Sequence, residues 1–274
     1  MTKISILGCG WLGFPLAKAM IAKDFSVKGS TTTSEKIALL EESGINPFLI
    51  NINLNEVNSL FGKSLSLEID SFLNESSILI IDIPPKLRGD NTESFVDKIA
   101  FLIPFIEEST IEKVLFISST SVYGENNVLV TEETKTNADS ESGKQLAISE
   151  ILLLRNTNFK TTILRFGGLI GEDRNPIKFL AGKENIENPE APINFIHLED
   201  CIGIILKIIE SNSWDQIYNA VAPFHPSREE YYTQKAREQN LALPKFIHEK
   251  ESTKKIISSA KIENVLHYTF AKKP

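Results

Sequence analysis

A chain that contains the run Gly8-Cys9-Gly10-Trp11-Leu12-Gly13 has few ways to fold around it. Lys3-Ile4-Ser5-Ile6-Leu7 precedes it, short, β-branched and mostly apolar, as a buried parallel strand is. Leu12 to Lys23 follows with helix formers and an apolar face at Leu12, Leu16, Ala19 and Met20. Strand, G-x-G-x-x-G and helix in that order make the βα turn on which a dinucleotide's diphosphate can rest. Gly8 permits the tight turn, Gly10 lets the diphosphate approach the backbone, and Gly13 lets the helix sit close to the strand. The unpaired amides that open the helix, with Trp11 and Leu12 among the turn residues, and the positive end of its dipole favour the anion. Pro15 falls in the first turn, where a missing N–H costs little.

Strand and helix signals then alternate through the first two-thirds of the chain, the pattern of a doubly wound parallel sheet. Ser26 to Thr32 reads as the second strand. Ser34 caps a helix from Glu35 to Glu42 that Ser43-Gly44 stops. Phe48-Leu49-Ile50 reads as the third strand, and Asn53 to Asn74 as an irregular helix. Ile78 to Ile81 is a buried fourth strand halted by Pro84-Pro85. Asn91 to Glu108 supplies a helix bent or ended near Pro104, and Val114 to Ile117 the fifth strand. Glu125 to Asp139 is polar and turn-rich. A long helix runs from Ser140 to Arg155, and the strand Thr161 to Arg165 follows. Beyond Gly167-Gly168 the alternation fails, which places a smaller lobe there. The expected organisation is a main domain of residues 1–165 and 193–222, with a substrate-side lobe of residues 166–192 and 223–274.

Composition removes several function classes. The net charge of −7 argues against a nucleic-acid surface, which needs clustered basic residues, and Lys254-Lys255 and Lys272-Lys273 are too short to supply one. No apolar run approaches the ~20 residues of a membrane span, and no signal-peptide layout opens the chain, so it reads as cytoplasmic. The four histidines are scattered without a zinc-ligand spacing, so no metal is expected. Cys9 stands at a helix start, which can lower a thiol pKa, although a backbone that merely faces the ligand accounts for it more simply.

The end of the second strand bears on which nicotinamide coenzyme fits. An NAD site usually carries an acid about 20 residues beyond the glycines, on the ribose hydroxyls. Here Ser30, Thr31, Thr32 and Thr33 occupy those positions, with Lys36 just beyond. Hydroxyls and an ammonium suit a 2′-phosphate, so the reading is NADP, with NAD left open. The carboxyl ends of the strands line the crevice, which brings Ile83-Pro84 and Ser118-Ser119-Thr120 beside the ligand.

These residues, taken in order, resemble the extended short-chain dehydrogenase/reductases of the NAD(P)-dependent epimerase/dehydratase type. The matches are Gly8 to Gly13, Phe116-Ile117-Ser118-Ser119 through Val122-Tyr123-Gly124, Lys144, Leu164-Arg165, Phe195 to Asp200, Ile217-Tyr218-Asn219 and Ser258-Ser259-Ala260-Lys261. The glycine spacing is that of the atypical branches. The resemblance implies a Rossmann-type sheet with a small C-terminal α/β lobe and a small-molecule substrate such as a nucleotide sugar, in a monomer or homodimer. It also implies Ser119 on the substrate oxygen and Lys144 on the nicotinamide ribose.

The family's tyrosine stands four residues before that lysine, and here the position is Ser140. A serine hydroxyl does not ionise near neutral pH without a base, so it cannot take over the proton transfer. Three readings follow: Tyr123 supplies the proton; Lys144 or the substrate does; or the chain binds a dinucleotide as a sensor or scaffold without turning it over. Arg165 and Arg174 stand where the second lobe begins and are candidates, with Thr120, for gripping an anionic substrate, Arg165 being equally suited to a buried ion pair.

Overall fold

The computed structural model describes residues 2–56, 60–85, 93–125, 129–249 and 251–274. Seven parallel strands form its central sheet: β1 (Lys3–Leu7), β2 (Ser26–Thr31), β3 (Asn46–Leu49), β4 (Ile78–Ile81), β5 (Lys113–Ser119), and two later strands, Lys160–Phe166 and Ile217–Ala220. A short strand β6 (Leu129–Val130) lies outside that sheet, so the last two are β7 and β10 in chain order, with β8 (Gly168–Ile170) and β9 (Phe195–His197) forming a separate pair between them. The spatial order is β10-β7-β5-β4-β1-β2-β3. Chain direction reverses its progress across the sheet between β1 and β4, and such a switch point opens a crevice beyond the strand ends. The fold is thus α/β with a doubly wound Rossmann-like sheet.

Helices α1 (Gly13–Ile21), α2 (Ile37–Glu42), α3 (Leu60–Leu73), α4 (Phe95–Glu108), α5 (Glu141–Leu154) and α6 (Leu198–Glu210) accompany the strands. Because parallel strands are covered on both faces, β4 is buried at every position. One core gathers α1, α6 and one face of the sheet around Leu16, Met20 and Ile204. The other gathers α3, α4 and α5 around Phe72, Ile99 and Leu153. Pro104 neither ends nor interrupts α4, which runs on to Glu108. The expected helix start at Asn91 and Thr92, and residues 57–59 of the expected irregular helix, lie outside the described residues.

The lobe has a small core of its own, in which Ile177 and Ile193 pack with Tyr231, Tyr232 and Ala236 of α7 (Arg228–Glu238). The chain's last stretch leaves it. Strand β11 (Ile256–Ile257) pairs with β6, and Ile262 and Leu266 of α8 (Ala260–Leu266) bury in the larger core. Residues 223–274 therefore do not form one lobe, because α8 has an apolar face that only the main sheet can cover. Asp200 secures this return: buried at the start of α6, it accepts hydrogen bonds from the Tyr268 hydroxyl at 2.8 Å and the Ala271 and Lys272 amides at 2.7 and 3.0 Å. Among the described residues no helix is long and apolar enough to cross a membrane.

Candidate functional site

The turn between β1 and α1 has the geometry its glycines require. Gly8 has φ +109°, a region that L side chains avoid. A β-carbon on Gly13 would collide with the Gly8 carbonyl, whereas one on Gly10 would meet nothing within 4 Å. The turn is therefore tight on its inner side and open on its outer side. Ser30 braces it from β2: its Oγ accepts from the Gly8 amide at 2.9 Å, and its carbonyl accepts from the Cys9 amide at 2.7 Å. The amides of Gly10, Trp11 and Leu12 have no hydrogen-bond partner among the described residues, and Leu12 caps α1 without a side-chain bond. Orphan amides at a helix start, facing open space, are an anion cradle.

A cavity of about 360 Å³ opens beside this turn. It brings together Gly8, Gly10, Thr31, Thr32, Lys36, Ile83 and Pro84 from the expected set. Thr31 is buried and its Oγ1 accepts from the Thr33 amide at 3.1 Å, so it shapes the turn, while Thr32 and Lys36 are exposed at the rim. Sequence reasoning missed Asn51 after β3, Lys98 on α4 and Asp82, all of which line the same space. Nothing in the pattern marked Asn51 or Lys98. Asp82 did carry a signal, being an acid that directly ends the apolar run of β4 beside β1. Its carboxyl takes a hydrogen bond from the Gly13 backbone, and burial still pushes its pKa up to about 8. The Cys9 thiol does not have the lowered pKa that a helix start can give: it is buried, and desolvation, then the nearby Asp82 charge, push its pKa up to about 12.

The expected catalytic group lies apart from that cavity, at the ends of β5 and α5. Ser119 caps the short turn Thr120–Val122, its Oγ accepting from the Ser121 amide at 3.1 Å, and Thr120 is half-buried beside it. Ser140 is the N-cap of α5, its Oγ accepting from the Gly143 amide at 3.1 Å. Lys144 follows in the first turn of α5, exposed to solvent. The serine that replaces the family's tyrosine is thus spent on holding the helix start.

Tyr123 and Arg165 stand elsewhere than a substrate site requires. Arg165, on β7, is 4% exposed. Its guanidinium grips Glu150 of α5 through Nη2 at 2.6 Å and Nε at 3.0 Å, and donates from Nη1 to the Tyr123 hydroxyl at 2.6 Å. The Tyr123 hydroxyl in turn donates to Asn219 Oδ1 on β10 at 2.9 Å, and Ser118 donates to Glu150 at 2.6 Å. The Arg165 side chain is a buried ion-pair partner with no face left for a substrate. Tyr123 is buried as well, and desolvation outweighs the Arg165 charge to raise its pKa, the wrong direction for an acid–base group near neutrality. The other tyrosines are no nearer the role: Tyr218 bonds Ser213, Tyr231 and Tyr232 pack in the lobe core, and Tyr268 bonds Asp200.

Arg174 alone of the two arginines is exposed. It sits in a tight turn begun by Gly171, with its guanidinium 5.1 Å from the Trp11 ring centroid. Trp11 also donates from Nε1 to Asp173 at 2.8 Å, so the glycine turn and the first loop of the lobe are fastened together. His197 caps α6, its Nδ1 accepting from the Glu199 amide at 3.3 Å.

No protein-family model matches the chain. Protein YeeZ of Escherichia coli strain K12 is 34% identical over 271 residues, covering 98% of this chain and 96% of its own. Among solved structures, UDP-glucuronic acid 4-epimerase from Bacillus cereus in complex with NAD superposes with a TM-score of 0.81 at 18% identity, covering 99% of this chain and 93% of that one. A short-chain dehydrogenase/reductase superfamily protein from Agrobacterium tumefaciens with bound NAD gives 0.77 at 15% identity, covering 99% and 93%. With near-complete coverage at that identity, the chain belongs to the family of the Escherichia coli protein YeeZ, on the fold of the NAD-dependent epimerase/dehydratase and short-chain dehydrogenase/reductase proteins.

Proposed function

We propose that this protein binds a nicotinamide dinucleotide at the sheet's switch point, NADP in preference to NAD, and presents it to a small polar substrate such as a nucleotide sugar. The observation that carries the reading is the open outer side of Gly10 with the unpartnered Gly10, Trp11 and Leu12 amides around it. Gly8 and Gly13 hold that turn in shape. Thr31, Thr32 and Lys36 flank the adenosine ribose, and an ammonium just past a strand end that carries hydroxyls at Ser30 to Thr33 instead of an acid favours a 2′-phosphate. Ile83 and Pro84 form the apolar wall beyond β4.

When bound, the coenzyme supplies a hydride donor or acceptor at its nicotinamide ring. Ser119 keeps its hydroxyl proton available to a substrate oxygen, because its Oγ serves as acceptor within its own turn. Lys144 extends from the first turn of α5 to the nicotinamide ribose, and Arg174 and Thr120 meet the substrate's charged or polar end. Proton movement at the substrate then runs through Ser119, Lys144 or the substrate itself. The position of Ser140 favours a second reading, a sensor or scaffold that retains the coenzyme without turnover, because the helix cap takes the place of the phenol.

Calorimetric titration with NADP and NAD tests the site. NADP is expected to bind more tightly, and Lys36→Ala to weaken NADP about tenfold, as loss of one charge-assisted contact does, with NAD little changed. Absence of heat with both coenzymes overturns the reading. Turnover of any member of a sugar-nucleotide and carbonyl panel decides for the enzyme over the sensor.

A further inference from the structure

Resting on the coenzyme site proposed above, we infer that Asp82 competes with the dinucleotide's diphosphate for the opening of α1, so that the cavity takes up the anion together with one proton. The geometry sets up the contest. Asp82 ends β4, directly across the switch point from the glycine turn, and lines the same cavity as Gly8 and Gly10. Its carboxyl is bound by the Gly13 backbone, the amide that opens the helix just past the three free ones, and Oδ2 stands 3.1 Å from where a Gly13 β-carbon would lie. An internal carboxylate thus already occupies the inner edge of the cradle that an incoming diphosphate needs. Two anions side by side in a partly desolvated cleft repel, and the weaker acid yields by protonation.

The surroundings decide which one yields. Cys9 on the turn and Cys201 on α6 are neutral thiols whose own ionisation the Asp82 charge opposes. Lys36 acts on Cys9, and Arg174 and Asp200 act on Cys201, but none of these three shifts Asp82 itself. Lys98, across the cavity on α4, is paired with Glu93 at 2.5 Å. Among the described residues the Gly13 backbone favours the charged form of Asp82, and burial outweighs it. A carboxyl with an elevated pKa is neutral at pH 7 and charged above about 8. The sign follows: below that pH the site is ready for an anion, and above it binding must draw a proton from solvent or meet a charge. The 2′-phosphate of NADP has finished ionising by then, since such groups titrate near pH 6, and NAD lacks it altogether.

The experiment is calorimetric titration of the full chain with NADP and with NAD at pH 7, 8 and 9, in pairs of buffers of different ionisation enthalpy. Wild-type affinity for both coenzymes should weaken by roughly fivefold between pH 8 and 9, as one linked proton with a pKa of about 8 requires, with proton uptake approaching one at pH 9. Asp82→Asn should hold its pH 7 affinity across the range with no uptake, and Asp82→Ser should do the same. Melting curves at each pH confirm that each variant is folded. A wild-type profile that is flat, or one that Asp82→Asn reproduces unchanged, overturns the inference while the coenzyme site stands. Failure of every variant to bind either coenzyme at any pH removes the site and the inference together.

Discussion

At position 140 an aliphatic hydroxyl stands where the resemblance places a phenol, and it is used as a helix cap. Ser140 turns inward as the N-cap of α5 and satisfies one of the orphan amides of that helix. Ser140→Ala should therefore cost about 1 kcal/mol, the usual worth of a cap, and lower the melting temperature by about 2–4 °C. Coenzyme affinity should not change, because the cap bonds the Gly143 amide and lies outside the cavity. Thermal melts with and without NADP check both parts; a loss of affinity without loss of stability would assign Ser140 to the site instead. The substitution was visible in the sequence as a missing tyrosine. Its use as a cap was not, since Ser-x-x-Gly is no stronger a helix signal than many other openings. Asp82 was only half legible, for a different reason. Periodicity marks it only as the polar residue that ends a strand, and its meaning depends on β4 lying beside β1, which is a long-range fact.

Between elements, the buried charges do work that no single helix or strand reveals. Glu150 and Arg165 tie α5 to β7, Ser118 ties them to β5, and Tyr123 and Asn219 carry the network to β10. Its member Ser118 immediately precedes Ser119 on β5, so the network steadies the proposed substrate end from within the sheet. The glutamate is 2% exposed and the arginine 4%, and removing one partner of such a pair strands the other in low dielectric. Glu150→Ala should destabilise by about 3–5 kcal/mol in urea unfolding. The double variant Glu150→Leu with Arg165→Met should cost much less than the single one, because no charge is left unpaired. Equal losses would mean that packing, not charge, holds these elements. The strands and helices themselves were legible because β4 is a continuous apolar run, β1 and β5 are mostly apolar, and α1 and α4 repeat at helical period. The network was not, since Glu150 sits mid-helix among leucines and isoleucines with no local sign that it is buried.

Across the molecule, two fastenings join what the sequence divides into domain and lobe. Asp200 holds the returning tail, and Trp11 holds the loop after Gly171 through Asp173 and Arg174. The second is the more consequential, because Trp11 belongs to the turn on which the proposed coenzyme rests and Arg174 to the loop that meets the proposed substrate. Anything that moves the turn by a fraction of an ångström moves the guanidinium stacked on it, so the coenzyme should set the substrate side before the substrate arrives. The chain's own fluorescence reports this, since its two tryptophans stand in different places. Trp214 is 7% exposed, in the same core as α1 but just ahead of β10 at the edge of the sheet, with Lys113 over its ring. Titration of NADP should quench or shift tryptophan emission in the wild type and equally in Trp214→Phe, and Trp11→Phe should lose most of that response. Asp173→Ala should shift the resting emission to the red by exposing the indole N–H, and should reduce the coenzyme-induced change. A response that survives in Trp11→Phe and vanishes in Trp214→Phe would break the link between turn and loop, and with it the argument that one side prepares the other.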